Sequence, residues 1–145
     1  MFNVFFNPST YGVSNDIITI SNNDTINPKA SISLTGNVLL LGPQFQMFYD
    51  KVNKASTFLQ KKAIVDSFMN ANPVLPFIED TIAHFIYRGS VQTITIPGDA
   101  NSWNTGAWPM LKFSGIDLWF KPQTFEMDAR LEYKFFLNGS SWISD

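Results

Sequence analysis

The sequence predicts a mainly β protein: an antiparallel β-sandwich with one α-helix leading into it and a small partial β-sheet ahead of that. Three observations carry the prediction. Aromatic residues are 15% of the 145, with Phe 14, Trp 4 and Tyr 4, and such side chains favour pleated, half-buried surfaces over helices. Short apolar or alternating runs recur through the second half, separated by turns rich in Gly, Pro and Asn. Helical spacing is strong in one stretch, 53–72.

Within 1–37, strands are expected at 2–6, 17–20 and 31–34, punctuated by Asn7-Pro8, Gly12, the polar knot 21–24 and Asn27-Pro28. Three short strands bury too little surface to stand alone, so this piece reads as part of a larger sandwich. Residues 38–52 read as a linker, with 44–51 equally open to a short helix behind Gly42-Pro43. In the helix, Phe58, Leu59, Ile64, Val65 and Phe68 fall near a 3.6 period, with Lys61 and Lys62 on the opposite side. Ser56 is its expected N-cap and Asn72-Pro73 its stop. Strands then follow at 81–87, 91–96, 110–113, 117–120 and 130–137, divided by Gly89-Ser90, Pro97-Gly98-Asp99, Ser114-Gly115 and Asn138-Gly139. Their close spacing suggests an antiparallel sandwich filling 53–145. Only six residues follow Asn138-Gly139, so the hairpin partner of the last strand is expected to be barely begun and both ends read as truncated.

Composition narrows the function. Hydrophobic residues at 45% and charged ones at 15% give ample material for a core. A net charge of -2, with ten dispersed Lys and Arg, lacks the basic footprint of a nucleic-acid binder. With Cys 0 there are no disulfides, thiolate nucleophiles or sulfur-bound zinc, and the single histidine, His84, excludes a multi-histidine metal centre. No metal or other cofactor is expected. No apolar run approaches the ~20 residues of a membrane helix, and nothing at Met1 resembles a signal peptide, so the chain as written reads as soluble, with no membrane partner.

Catalytic patterns are weak. The nucleophile-elbow pattern G-x-S-x-G does not occur. His84 sits between Ala83 and Phe85 in an expected strand, where it reads as a structural imidazole rather than a general base. Glu79-Asp80, and Asp128 with Glu126 and Glu132, read as solvated turn and strand-edge charges rather than paired acid and base. The 98–106 stretch has glycine but neither the Lys nor the strand-to-helix context of a phosphate loop.

The informative stretch is Gly98-Asp-Ala-Asn-Ser-Trp-Asn104, followed by Gly115-Ile-Asp-Leu-Trp-Phe120, Asp128-Ala-Arg-Leu-Glu-Tyr-Lys-Phe135 and Asn138-Gly-Ser-Ser-Trp-Ile-Ser-Asp145. This order resembles the immunoglobulin-like, E-set N-terminal domain of enterochelin-esterase-type esterases, itself related to the family 48 carbohydrate-binding modules. Lys62-Ala-Ile-Val-Asp-Ser-Phe68, Pro76-Phe-Ile-Glu79 and Ala83-His-Phe-Ile-Tyr-Arg-Gly89 are similar to that domain's lead-in helix and first strand. The resemblance covers 53–145 and implies an immunoglobulin-like sandwich. Separately, Val4-Phe-Phe-Asn-Pro8, Gly12, Ile18-Thr-Ile-Ser-Asn-Asn-Asp24, Pro28 and Ile32-Ser-Leu-Thr-Gly36 resemble the second half of ASH-type immunoglobulin-like repeats of secreted bacterial proteins.

Two functions follow from the resemblance. The first is a non-catalytic accessory domain that positions or caps an α/β-hydrolase domain of the same parent chain, a secreted or cell-surface bacterial-type serine esterase. The chain alone would be catalytically inert, and its interface would use Trp103, Trp108 and Trp142. The alternative is an α-glucan-binding module in which Trp103 and Trp108 stack on sugar rings while Lys112 or Asn101 supply polar contacts. Gly98 and Asp99 are expected to hold the turn in either case. Trp119, between Leu118 and Phe120, is expected in the core.

Overall fold

A computed structural model of the chain describes residues 12–23 and 25–145. The strand expected at 2–6, the Asn7-Pro8 turn and Asp24 lie outside the described residues. The chain divides into two units between Leu40 and Leu41.

The first unit is a hairpin of β1 (Gly12–Ser21) and β2 (Lys29–Val38), antiparallel with Ile18 opposite Ile32. Gly12, expected as a turn, opens β1 instead. Because side chains alternate along a strand, the register puts Ile18, Ile20, Ala30, Ile32 and Leu34 on one face with Asp16, and Thr19, Ser31 and Ser33 on the other with Ile17. Asn22 N donates to Pro28 O at 2.9 Å and closes the connecting loop.

The second unit begins with two helices, α1 (Pro43–Lys54) and α2 (Phe58–Ala71). The expected linker is thus largely helix. Pro43 stands at the start, where its missing N–H costs nothing, and Phe45, Phe48 and Val52 form a buried stripe at spacings of three and four. α2 is capped by Thr57 rather than Ser56: Thr57 Oγ1 accepts from Gln60 N at 3.2 Å, and Gln60 Oε1 accepts from Thr57 N at 3.1 Å. This reciprocal box needs a glutamine three residues beyond the cap, a spacing only Thr57 has. Helix α2 stops where expected, before Asn72-Pro73.

Its buried face is the expected one at Val65, with Ile64 and Phe68 half-buried, but not at its first turn or at Lys61. Lys61 is 9% exposed, whereas Leu59 is 75% and Phe58 58% exposed. Lys61 Nζ donates at 2.7 Å to Val52 O, a carbonyl of the last turn of α1 that lacks a partner within its own helix. Satisfying that carbonyl rotates Lys61 and Val65 inward together, four residues apart on one face.

Seven strands follow: β3 (Phe77–Glu79), β4 (Ile82–Arg88), β5 (Ile94–Thr95), β6 (Leu111–Lys112), β7 (Leu118–Thr124), β8 (Phe135–Leu137) and β9 (Ser141–Ile143). They form two antiparallel sheets, ordered β3-β4-β7-β6 and β5-β8-β9. One face of the four-stranded sheet contributes Ala83, Phe85 and Trp119 to a core completed by Ile94, Ile96, Phe135 and Leu137 from the other sheet's side. The opposite face meets the helices: Phe45 lies 4.3 Å from the His84 ring and 5.6 Å from Phe120, and Tyr49 lies 5.5 Å from Phe120. The result is three layers, helices over sheet over sheet. It explains the unbroken burial of 83–86 and 118–120, since a strand covered on both sides reads as a continuous apolar run.

Several strands differ from expectation. β8 starts at Phe135 instead of 130, because Glu132 and Lys134 spend their backbone N–H groups on Asp99 and Pro97 of the preceding loop. The expected 91–96 and 110–113 strands shorten to two residues each, partly bonded to loop backbone, with Ile96 N on Ala107 O. β7 runs past 120 through Pro122. Phe125 N points to Thr81 of β4, so by alternation the Pro122 nitrogen faces the β6 side, where pairing has already ended at Phe120. The hairpin partner expected to be barely begun is formed as β9, with Phe135 opposite Ile143. Asn138 (φ 50°) and Gly139 (φ 68°) supply the two left-handed residues that this tight turn requires.

Candidate functional site

The Gly98–Asn104 loop is held by its own side chains. Asn101 Oδ1 accepts from Gly98 N at 3.0 Å while its Nδ2 donates to Ile96 O at 2.8 Å. Asp99 Oδ1 accepts from Trp103 Nε1 at 3.0 Å, and its other oxygen accepts from Glu132 N at 2.9 Å. Gly98 is extended, and a Cβ there would lie 2.5 Å from Glu132 O. The motif therefore buttons the loop to the chain entering β8. Trp103, with its N–H committed, keeps 38% of its surface exposed at φ 56°.

The other expected residues scatter. Trp108 is half-buried, its ring 5.8 Å from Phe125 and 6.3 Å from Phe85, so it belongs to the core margin rather than to a platform beside Trp103. Lys112 pairs with Asp117 at 2.7 Å and lies 5.3 Å over the Trp119 ring. Trp119 is in the core as expected, its Nε1 donating to Gly89 O at 3.2 Å. Trp142 on β9 rests 4.7 Å from Phe136 and is 45% exposed.

His84 is fully buried. Its Nε2 accepts from Gly42 N at 3.0 Å, so the proton resides on Nδ1, which donates to Phe77 O at 3.1 Å. Burial holds its pKa below the ordinary 6.5, against smaller opposing effects of the Phe77 carbonyl and the Glu79 charge. Both nitrogens are spent on backbone, which leaves no free atom to take a proton from a substrate. Glu79, expected as a solvated charge, caps α1: its two carboxylate oxygens accept from Gln44 N at 2.7 Å and Phe45 N at 2.9 Å. Gly42, the N-cap, has no side chain for this task, and a Cβ there would collide with the Glu79 carboxylate. The sequence signal available was a helix start at Gly42-Pro43 without a capping side chain.

Sequence reasoning missed a cleft of about 370 Å³ at one end of the sandwich, bounded by Ile78, Ala83, Phe85, Phe125, Met127 and Tyr133. Ala83 presents only a methyl group between larger neighbours, which leaves the space. Asp80, Glu126 and Arg130 also line it. The Tyr133 hydroxyl donates to Asp145, and burial first, then this carboxylate, raises the phenol's pKa above 10. A second groove, of about 480 Å³, runs between α1 and α2 past Met47, Phe48, Ile64 and Phe68. None of Trp103, Trp108, Asn101, Lys112, Trp142, Gly98 or Asp99 lines either one. No group of three His, Asp or Glu able to hold a metal occurs among the described residues, and none of their helices is long and apolar enough to cross a membrane.

No protein-family model matches the chain, and none of the curated proteins matches it.

Proposed function

We propose that the chain is a non-catalytic accessory module of the immunoglobulin-like, E-set kind that positions or caps an α/β-hydrolase domain of the same parent protein, a secreted or cell-surface serine esterase. The observation that carries this reading is the commitment of His84, Glu79, Asp99 and Asn101 to the fold. His84 serves two backbone groups, Glu79 caps a helix, and Asp99 with Asn101 closes a loop. At the surface, Trp103 and Trp142 keep partly exposed rings while fixed by intramolecular contacts, and exposed, rigid aromatics suit a contact surface.

The test is genetic first and then biochemical. A reading frame continuing beyond Asp145 into a strand followed by G-x-S-x-G supports the reading, and a stop codon directly after Asp145 overturns it. With that domain supplied separately, Trp103→Ala with Trp142→Ala weakens association with the module. The glycan-binding alternative draws on the exposed face of Trp103. A maltoheptaose titration followed by tryptophan fluorescence separates the two, saturable quenching favouring the glycan module and a flat response the accessory one.

A further inference from the structure

We propose that the cleft over Ala83 binds a small amphiphile that pairs an apolar, ring-bearing body with an ammonium group. This inference is independent of the accessory role. The cleft's 370 Å³ lies within the size range of small-molecule sites, and its walls are mainly apolar with a few charged groups, the usual make-up of such sites. Its mouth is edged by apolar side chains held in water: Met127 is 83% exposed, Ile78 62% and Leu131 42%. An apolar body in the cleft would cover them.

The charges select the head group. The β4–β7 ladder ends where Phe125 N donates to Thr81 O at 2.9 Å, and Asp80 and Glu126 flank that last rung, both facing the cleft. Neither carboxylate has a hydrogen bond or an ion pair among the described residues, so both are open to a cation in the cleft. Arg130, also on the rim and without an ion pair among the described residues, leaves the three-residue set with one net negative charge. Asp128, in the same loop, adds another negative charge nearby. An ammonium group would pair with these carboxylates and gain the faces of half-buried Phe125 and Tyr133. A carboxylate would meet one guanidinium against two carboxylates.

Three probes with one body and three heads test this on the whole chain: 4-phenylbutylamine, 4-phenylbutanol and 4-phenylbutyrate. Binding is followed by calorimetry and by the emission of Trp108, which touches Phe85 and Phe125 of the cleft. The amine should bind saturably, about threefold to fivefold tighter than the alcohol, the scale of a solvent-exposed ion pair, and the butyrate weakest. Added salt should shrink that advantage. Asp80→Asn with Glu126→Gln, both surface changes, should erase the amine's advantage and leave the alcohol unaffected, whereas Arg130→Gln should tighten the amine. Absence of saturable binding by all three probes, equal affinity of amine and alcohol, or tightest binding of the butyrate would each overturn the proposal.

Discussion

His84 and Gly98 show how single residues are committed to structure. Because burial lowers the His84 pKa, the folded state binds fewer protons than the unfolded state once pH falls below 6.5. Its stabilising contribution is therefore complete above 6.5 and declines as pH drops toward the lowered folded value. Asp66, held low by Lys62 and Arg88, and Asp117, held low by Lys112, titrate below their ordinary 3.8. Since His84 is the sole histidine, urea midpoints should fall between pH 7.5 and 5.5, and His84→Gln should flatten that fall while lowering stability at pH 7.5 by about 1–3 kcal/mol through loss of a buried bond. An equal slope in the variant would contradict the assignment. Gly98→Ala should cost roughly 1–3 kcal/mol by the same measurement, because its methyl group meets the Glu132 carbonyl. That Gly98 and Asp99 hold a turn was legible in the sequence, whereas the Asp99 partners, Trp103 Nε1 and Glu132 N, were not, the second lying 33 residues away. The fate of Trp108 was not, because a tryptophan in a Gly- and Asn-rich loop carries no mark of which side meets Phe85.

Among the elements, helix α1 depends on a side chain from outside itself. Glu79 of β3 receives the two N–H groups that Gly42 cannot satisfy. Glu79→Ala should lower stability by about 1–2 kcal/mol, the range for a lost N-cap, with a loss of helical circular dichroism that exceeds the effect of Thr57→Ala at α2. Equal, negligible losses would mean that packing alone fixes α1. This cap was hidden from sequence reading because its partners are 34 and 35 residues apart. The inward turn of α2 was hidden for a similar reason: a lysine reads as solvent-facing unless the orphan carbonyl of Val52 is known to lie beneath it. The turn chemistry, by contrast, was local and legible, as at Asn138-Gly139 and Asn72-Pro73.

For the whole molecule, the mainly β, antiparallel character was legible in alternation and turn spacing, whereas the helices' place as a third layer was not. The clue lay in the continuous apolar runs of β4 and β7, which a two-layer sandwich with one wet face does not need. Phe45→Ala should therefore cost about 3–5 kcal/mol, because Phe45 is fully buried against His84 and Phe120 on the sheet's helical side; a cost near zero, read from denaturant midpoints, would mean that the helical layer is dispensable. The same commitment of His84, Glu79, Asp99 and Asn101 to architecture supports the accessory role proposed above. Its most direct test is an assay of the purified chain with p-nitrophenyl butyrate, alongside His84→Gln. The account predicts ester cleavage no faster than in buffer for both proteins, and turnover by the wild-type chain that disappears in the variant would contradict it.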